Sequence, residues 1–141
     1  MKKLLNIILF GVSLSMIEYI ILLFFFQLES VIKYSIPITK LSGALRGANE
    51  ISAVRFIFYF GFWVLVMYFL HNKVNIKYPI LKFALLNCAL YVALSGLMTL
   101  IFPFAKEFFK EEFFYYLIIA TLISPFILSM IPYANKLIKR I

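Results

Sequence analysis

The 141-residue chain contains no aspartate, one cysteine, one histidine and six glutamates. Each shortage closes a route. A lone Cys88 cannot form an internal disulfide. A single His71 with one cysteine and no aspartate leaves a metal ion without a ligand set, so no metal is expected. His71 also lies at the opposite level from the serines of the apolar runs, which argues against a hydrolytic triad. The five glycines form no phosphate-cradling loop, and no cofactor is implied. Charged residues make up only 14% of the chain, against about 25% in an ordinary soluble domain.

What is present is apolar. Hydrophobic residues account for 65% of the chain, and its mean hydropathy is +1.01. A single small core cannot hide that surplus, because a chain of about 150 residues still exposes roughly a third of its surface. Lipid is the solvent that accepts it. The net charge of +8 falls between apolar runs and not along a continuous basic face, so nucleic acid is not the expected partner.

Four apolar runs stand out, and with their flanks they give helices at about 4–26, 50–70, 80–103 and 113–135. Each approaches the ~20 residues that cross a hydrocarbon core of about 30 Å. Backbone in lipid must satisfy its own hydrogen bonds, so the choices are helices or a closed barrel. A stretch such as RFIFYFGFWVLVMYFL (55–70) lacks the two-residue alternation of barrel strands. The expectation is a single all-α integral membrane domain over 1–141, four transmembrane helices in a compact bundle. MKKLLNIILFGVSLS resembles the start of a signal peptide, but its apolar run continues to Phe26, so it is read as a retained helix.

Placing both termini in the cytoplasm puts Lys2, Lys3, Lys73, Lys77, Lys82, Lys136, Lys139 and Arg140 inside with no acid. The outside then carries Lys33, Lys40, Arg46, Arg55, Lys106 and Lys110 among five glutamates. The excess of basic residues favours this N-in, C-in arrangement, and a bacterial cytoplasmic (inner) membrane is the expected location. The outer connection 27–52 is then the longest. Its GALRG (43–47) satisfies GxxxG but lies among charges, so its glycines are read as loop glycines. Arg46 and Glu50 are candidate outer-loop contacts, four apart and able to pair if helical. FAKEFFKEEFFYY (104–116) reads as an interfacial turn with rings at head-group level. Pro79 suits a first helical turn. Pro125 is a candidate kink within the fourth helix, where Pro132 also lies.

Glu18 stands inside the first apolar run. A carboxylate there costs roughly 2.5–3.5 kcal/mol on insertion scales, so something must answer it. It lies eight residues below Phe26, about 12 Å at 1.5 Å per residue. The same ruler brings Gly61, Ser95 and Thr121 to its level. Arg55, nearer the outer edge, can reach down along its stem. Glu18, Arg55, Ser95 and Thr121 therefore form a candidate intramembrane polar layer. Within it, Glu18 either pairs with Arg55, binds a proton or cation, or meets a lipid head group or partner helix. Asn87 in the third helix is a candidate helix–helix hydrogen-bond contact.

The size and four-helix layout are similar to those of several small membrane families. Among them are GtrA-like lipid-linked sugar flippases and small multidrug exporters, which also carry a carboxylate in the first helix. This likeness of layout transfers no residue. Carriers usually hold several ionisable groups in their spans, and here only Glu18 is deep. The favoured expectation is a non-catalytic polytopic protein, in contact with membrane lipid, that acts through a membrane-protein partner or assembly. The alternative is a homo-oligomeric channel or carrier with Glu18 in its polar path, and a lipid-handling enzyme comes third.

Overall fold

A computed structural model describes residues 2–102 and 112–141. It contains five helices among these residues and no strand. They are α1 (Lys2–Tyr34), α2 (Ser42–Leu70), α3 (Pro79–Ile101), α4 (Glu112–Ser129) and α5 (Pro132–Ile138). Three of them are long and apolar enough to cross a membrane, or four if the bent pair of α4 and α5 counts as one span. The expected interfacial turn at 104–116 falls mostly outside the described residues.

The expected long connection between the first two helices is corrected. Helix α1 continues through Gln27–Tyr34 and α2 begins at Ser42, which leaves only residues 35–41 between them. The apolar runs end at Phe26 and begin near Ala53, but helix needs only acceptable propensity and side-chain partners, not apolarity. Glu29 pairs with Lys33 at 3.1 Å, and Lys33 also reaches Glu112. Gln27 donates its side-chain N–H to the Ile38 carbonyl at 3.2 Å. Tyr19 donates its hydroxyl to Asn49 at 2.8 Å across the pair. Ala44 and Ala48 are buried against α1. Gly43 and Gly47 thus sit in the first turns of α2 and not in a loop. Arg46 and Glu50 pair on its exposed surface at 2.9 Å, a contact worth only tenths of a kcal/mol. At 33 and 29 residues, α1 and α2 measure about 50 and 43 Å. They are long enough to outreach the hydrocarbon core as a helical hairpin.

Pro79 opens α3, as expected. The fourth span is not one continuous helix to residue 135. Its 105° bend falls at Met130–Ile131, between Ser129 and Pro132, and Pro125 lies inside α4. Pro132 occupies the first turn of α5; at that place its missing N–H costs nothing, and its ring cannot continue α4.

Helix α1 is central. It packs along α2 and along α4, α3 packs on α4, and α2 touches α3 only lightly. Two apolar clusters form the interior. One joins Ile7, Phe10, Leu14, Trp63, Met67, Phe83 and Leu128, with Leu137 and Ile138 of α5. The other joins Leu22, Tyr91, Phe114, Leu117 and Ala120. On three helices the residues between the clusters are polar: Glu18 between Leu14 and Leu22, Asn87 between Phe83 and Tyr91, and Thr121 and Ser124 between Ala120 and Leu128. All four are buried. Each stands in its helix's inward stripe because i, i+4 and i+7 share a face.

Candidate functional site: a polar belt around Glu18

The belt begins with a proline. Pro125 has no N–H, so the Thr121 carbonyl, four residues earlier, has no intrahelical donor. In hydrocarbon such a carbonyl needs another partner. Asn87 supplies it, donating Nδ2–H to Thr121 O at 3.0 Å. The same amide nitrogen donates to Glu18 Oε1 at 2.7 Å. Asn87 Oδ1 accepts the indole N–H of Trp63 at 3.0 Å. One side chain on α3 therefore ties together α1, α2 and α4.

Glu18 is the second node. Its Oε2 meets Arg55 Nη1 at 2.8 Å, and its Oε1 also accepts the Ser124 hydroxyl at 3.3 Å. The carboxylate is almost wholly enclosed, and the Arg55 side chain is 16% exposed. The guanidinium lies over the Tyr91 ring, 5.1 Å from its centroid, an arrangement that favours a cation on the ring face. Among the described residues Arg55 Nε, Tyr91 OH and Ser95 Oγ have no hydrogen-bond partner. Ser95 stands near the Tyr59 and Tyr91 hydroxyls without hydrogen-bond geometry to either.

The structure brings Glu18, Arg55 and Asn87 into direct contact. Thr121 enters by its backbone carbonyl, since its hydroxyl donates to Ile118 O at 2.8 Å. Ser95 is buried about two turns beyond Asn87 and one beyond Tyr91, and makes no hydrogen bond to the carboxylate. Gly61 faces outward with open space around it. Sequence reasoning missed Trp63, Ser124 and Gly11. Trp63 carried a signal, because a buried indole N–H usually finds an acceptor. Gly11 matters by shape: a Cβ there would lie 2.7 Å from Cζ3 of Trp63 and 3.0 Å from Phe60. Its lack of a side chain lets the indole approach α1.

A partly open cleft of about 50 Å³ adjoins the pair, lined by Ser15, Glu18, Ser52, Arg55, Tyr59 and Trp63 among others. It has room for a few waters. No group of three or more metal-ligating side chains occurs among the described residues. Fold and site together define an all-helical protein suited to a bilayer, cross-braced by a buried ion pair and an asparagine. No family model, curated protein or solved structure matches the chain.

Proposed function

We propose that this is an integral membrane protein that acts by presenting its helices to a membrane-embedded partner, with the Glu18 belt as an internal brace. The observation that carries this reading is the occupancy of the carboxylate: Oε2 is taken by Arg55 and Oε1 by Asn87 and Ser124. A carrier's binding carboxylate needs free coordination, and the adjoining cleft is small. The outward side of α2 offers Val54, Ile57, Phe58, Gly61 and Leu65 instead. Gly61 lets another backbone come close. N-in, C-in orientation accompanies this reading, supported by the acid-free basic termini and 71–78 turn.

The test is a photo-crosslinking residue at Ile57 or Phe58, activated in native membranes. A discrete protein adduct, lost when Gly61 is changed to Trp while Leu100 probes stay unaffected, supports the proposal. Lipid adducts alone, together with cation- or proton-dependent flux in liposomes that Glu18→Gln abolishes, would overturn it in favour of a carrier.

A further inference from the structure

The start of α1, the 71–78 turn, the start of α3 and α5 share one end of the bundle. This end carries Lys2, Lys3, Lys73, Lys77, Lys82, Lys136, Lys139 and Arg140, whereas the six glutamates lie at 18, 29, 50, 107, 111 and 112. Among the described residues none of these cations forms an ion pair with a glutamate.

One corner is more than a charged surface. Lys3 lies over the Tyr68 ring, 5.3 Å from its centroid, and its Nζ approaches the Tyr68 carbonyl at 3.5 Å. His71 is buried, with 8% of its surface exposed, and its ring stacks on Phe83 at 4.6 Å. Its Nδ1 has no hydrogen-bond partner among the described residues. Burial, then the charges of Lys82 and Lys3, push its pKa down to about 4. Helix α3 begins here without a side-chain cap, and its Lys82 N–H returns to Tyr78 O at 3.0 Å. The N–H groups of Ile80 and Leu81 therefore have no intrahelical acceptor at the positive end of the helix dipole. Leu4, Leu5, Leu81 and Leu85 are exposed alongside. Charge for an anion thus stands directly beside apolar surface for alkyl chains.

We propose that the corner formed by Lys3, His71, Lys82 and the start of α3 binds the phosphodiester head group of an anionic membrane lipid. A free phosphate shares the charge but gains nothing from the flanking leucines. A cation near an anionic bilayer is worth about 1 kcal/mol, or roughly fivefold, so two cations supply roughly 25-fold.

The protein, extracted from vesicles of equal phosphatidylglycerol and phosphatidylcholine, is examined by native mass spectrometry for retained lipid. Phosphatidylglycerol should be enriched. The Lys3→Gln/Lys82→Gln variant should lose most of that enrichment, while Lys136→Gln/Lys139→Gln should keep it. In parallel, the single histidine is titrated by NMR in nanodiscs. Phosphatidylglycerol should raise the His71 pKa more in the native chain than in the Lys3/Lys82 variant. Inorganic phosphate added to phosphatidylcholine discs should leave it in place. Equal enrichment in all three proteins, or equal loss in both variants, would reduce the effect to the general surface field and overturn the site. A full response to inorganic phosphate would also overturn it, by making the corner a free-anion site.

Discussion

Removing one partner from the Glu18–Arg55 pair should cost far more than removing both. Glu18 is nearly fully enclosed, so Arg55→Gln leaves a carboxylate held only by Asn87 and Ser124. Breaking a buried pair from one side typically costs about 3–5 kcal/mol; the remaining neutral donors place this case near the lower value, about 3. Glu18→Gln leaves the cation instead. Arg55 is partly exposed and stacked on Tyr91, and its long stem can carry the charge outward, so about 1–2 kcal/mol is expected. The two changes together leave no unanswered charge. The double variant should fall only about 1–2 kcal/mol below the native chain, against a sum of about 4–5, a coupling near 3. Reversible unfolding in mixed micelles, titrated with a denaturing detergent and followed by the fluorescence of the single Trp63, measures all four proteins. Losses that add to within about 0.5 kcal/mol would refute the pair as an energetic unit.

Asn87→Leu should cost about 1–3 kcal/mol, because it strips partners from the Trp63 N–H and the Thr121 carbonyl at once; a shift in Trp63 emission should accompany the loss, and unaltered emission would contradict the contact. Gly11→Ala should destabilise by about 1–3 kcal/mol, since its Cβ would press on Trp63, whereas Gly61→Ala, with open space around it, should be neutral or stabilise by up to about 1 kcal/mol. Pro125→Ala should give Thr121 O an intrahelical donor and loosen its claim on Asn87, so the loss on Asn87→Leu should be smaller in that background; an equal loss would disprove the link. Finally, His71 sets a pH dependence. Its pKa is pushed down to about 4 in the folded chain from an ordinary 6.5, so the unfolded chain binds the extra proton between these values. Stability, followed by thermal unfolding, should be complete above about 6.5, fall as pH drops towards 4, and lose this component in His71→Gln.

The sequence made some of this legible because lipid imposes simple rules. Length and apolarity picked out the helices long and apolar enough to cross a membrane, and the cost of a buried charge singled out Glu18 and pointed to Arg55. The helix ends were less legible for a physical reason. Apolarity marks where hydrocarbon ends, whereas helix continues as long as backbone geometry and side-chain pairs support it. Glu29–Lys33, Tyr19–Asn49 and the buried Ala44 and Ala48 extend α1 and α2 past the apolar runs. Ser95 illustrates the limit of a depth ruler. Its direction around the helix is as expected, since Asn87, Tyr91 and Ser95 share the inward stripe of α3, but its level is not: Asn87, eight residues earlier, is the residue that meets Glu18.

The deeper lesson lies in Thr121. Its residue type suggested a hydroxyl in the polar layer, yet its hydroxyl is spent on Ile118 and its carbonyl does the work. That carbonyl is free because of Pro125. A proline in a membrane helix therefore has two readings, a bend and an acceptor four residues upstream. Here the large bend lies beyond Ser129, before Pro132, while Pro125 supplies the acceptor. Asn87 can serve that acceptor and Glu18 through one amide nitrogen because the amide carries two hydrogens. Its oxygen remains for Trp63. Aspartate at 87 would have no hydrogen to give and would place a second carboxylate beside Glu18. Leucine would leave the Thr121 carbonyl and the Trp63 N–H unserved, and serine is too short to span three helices. Asparagine or glutamine alone has the donors and acceptor this junction requires, and asparagine's shorter stem fits a position that is 2% exposed between two apolar clusters.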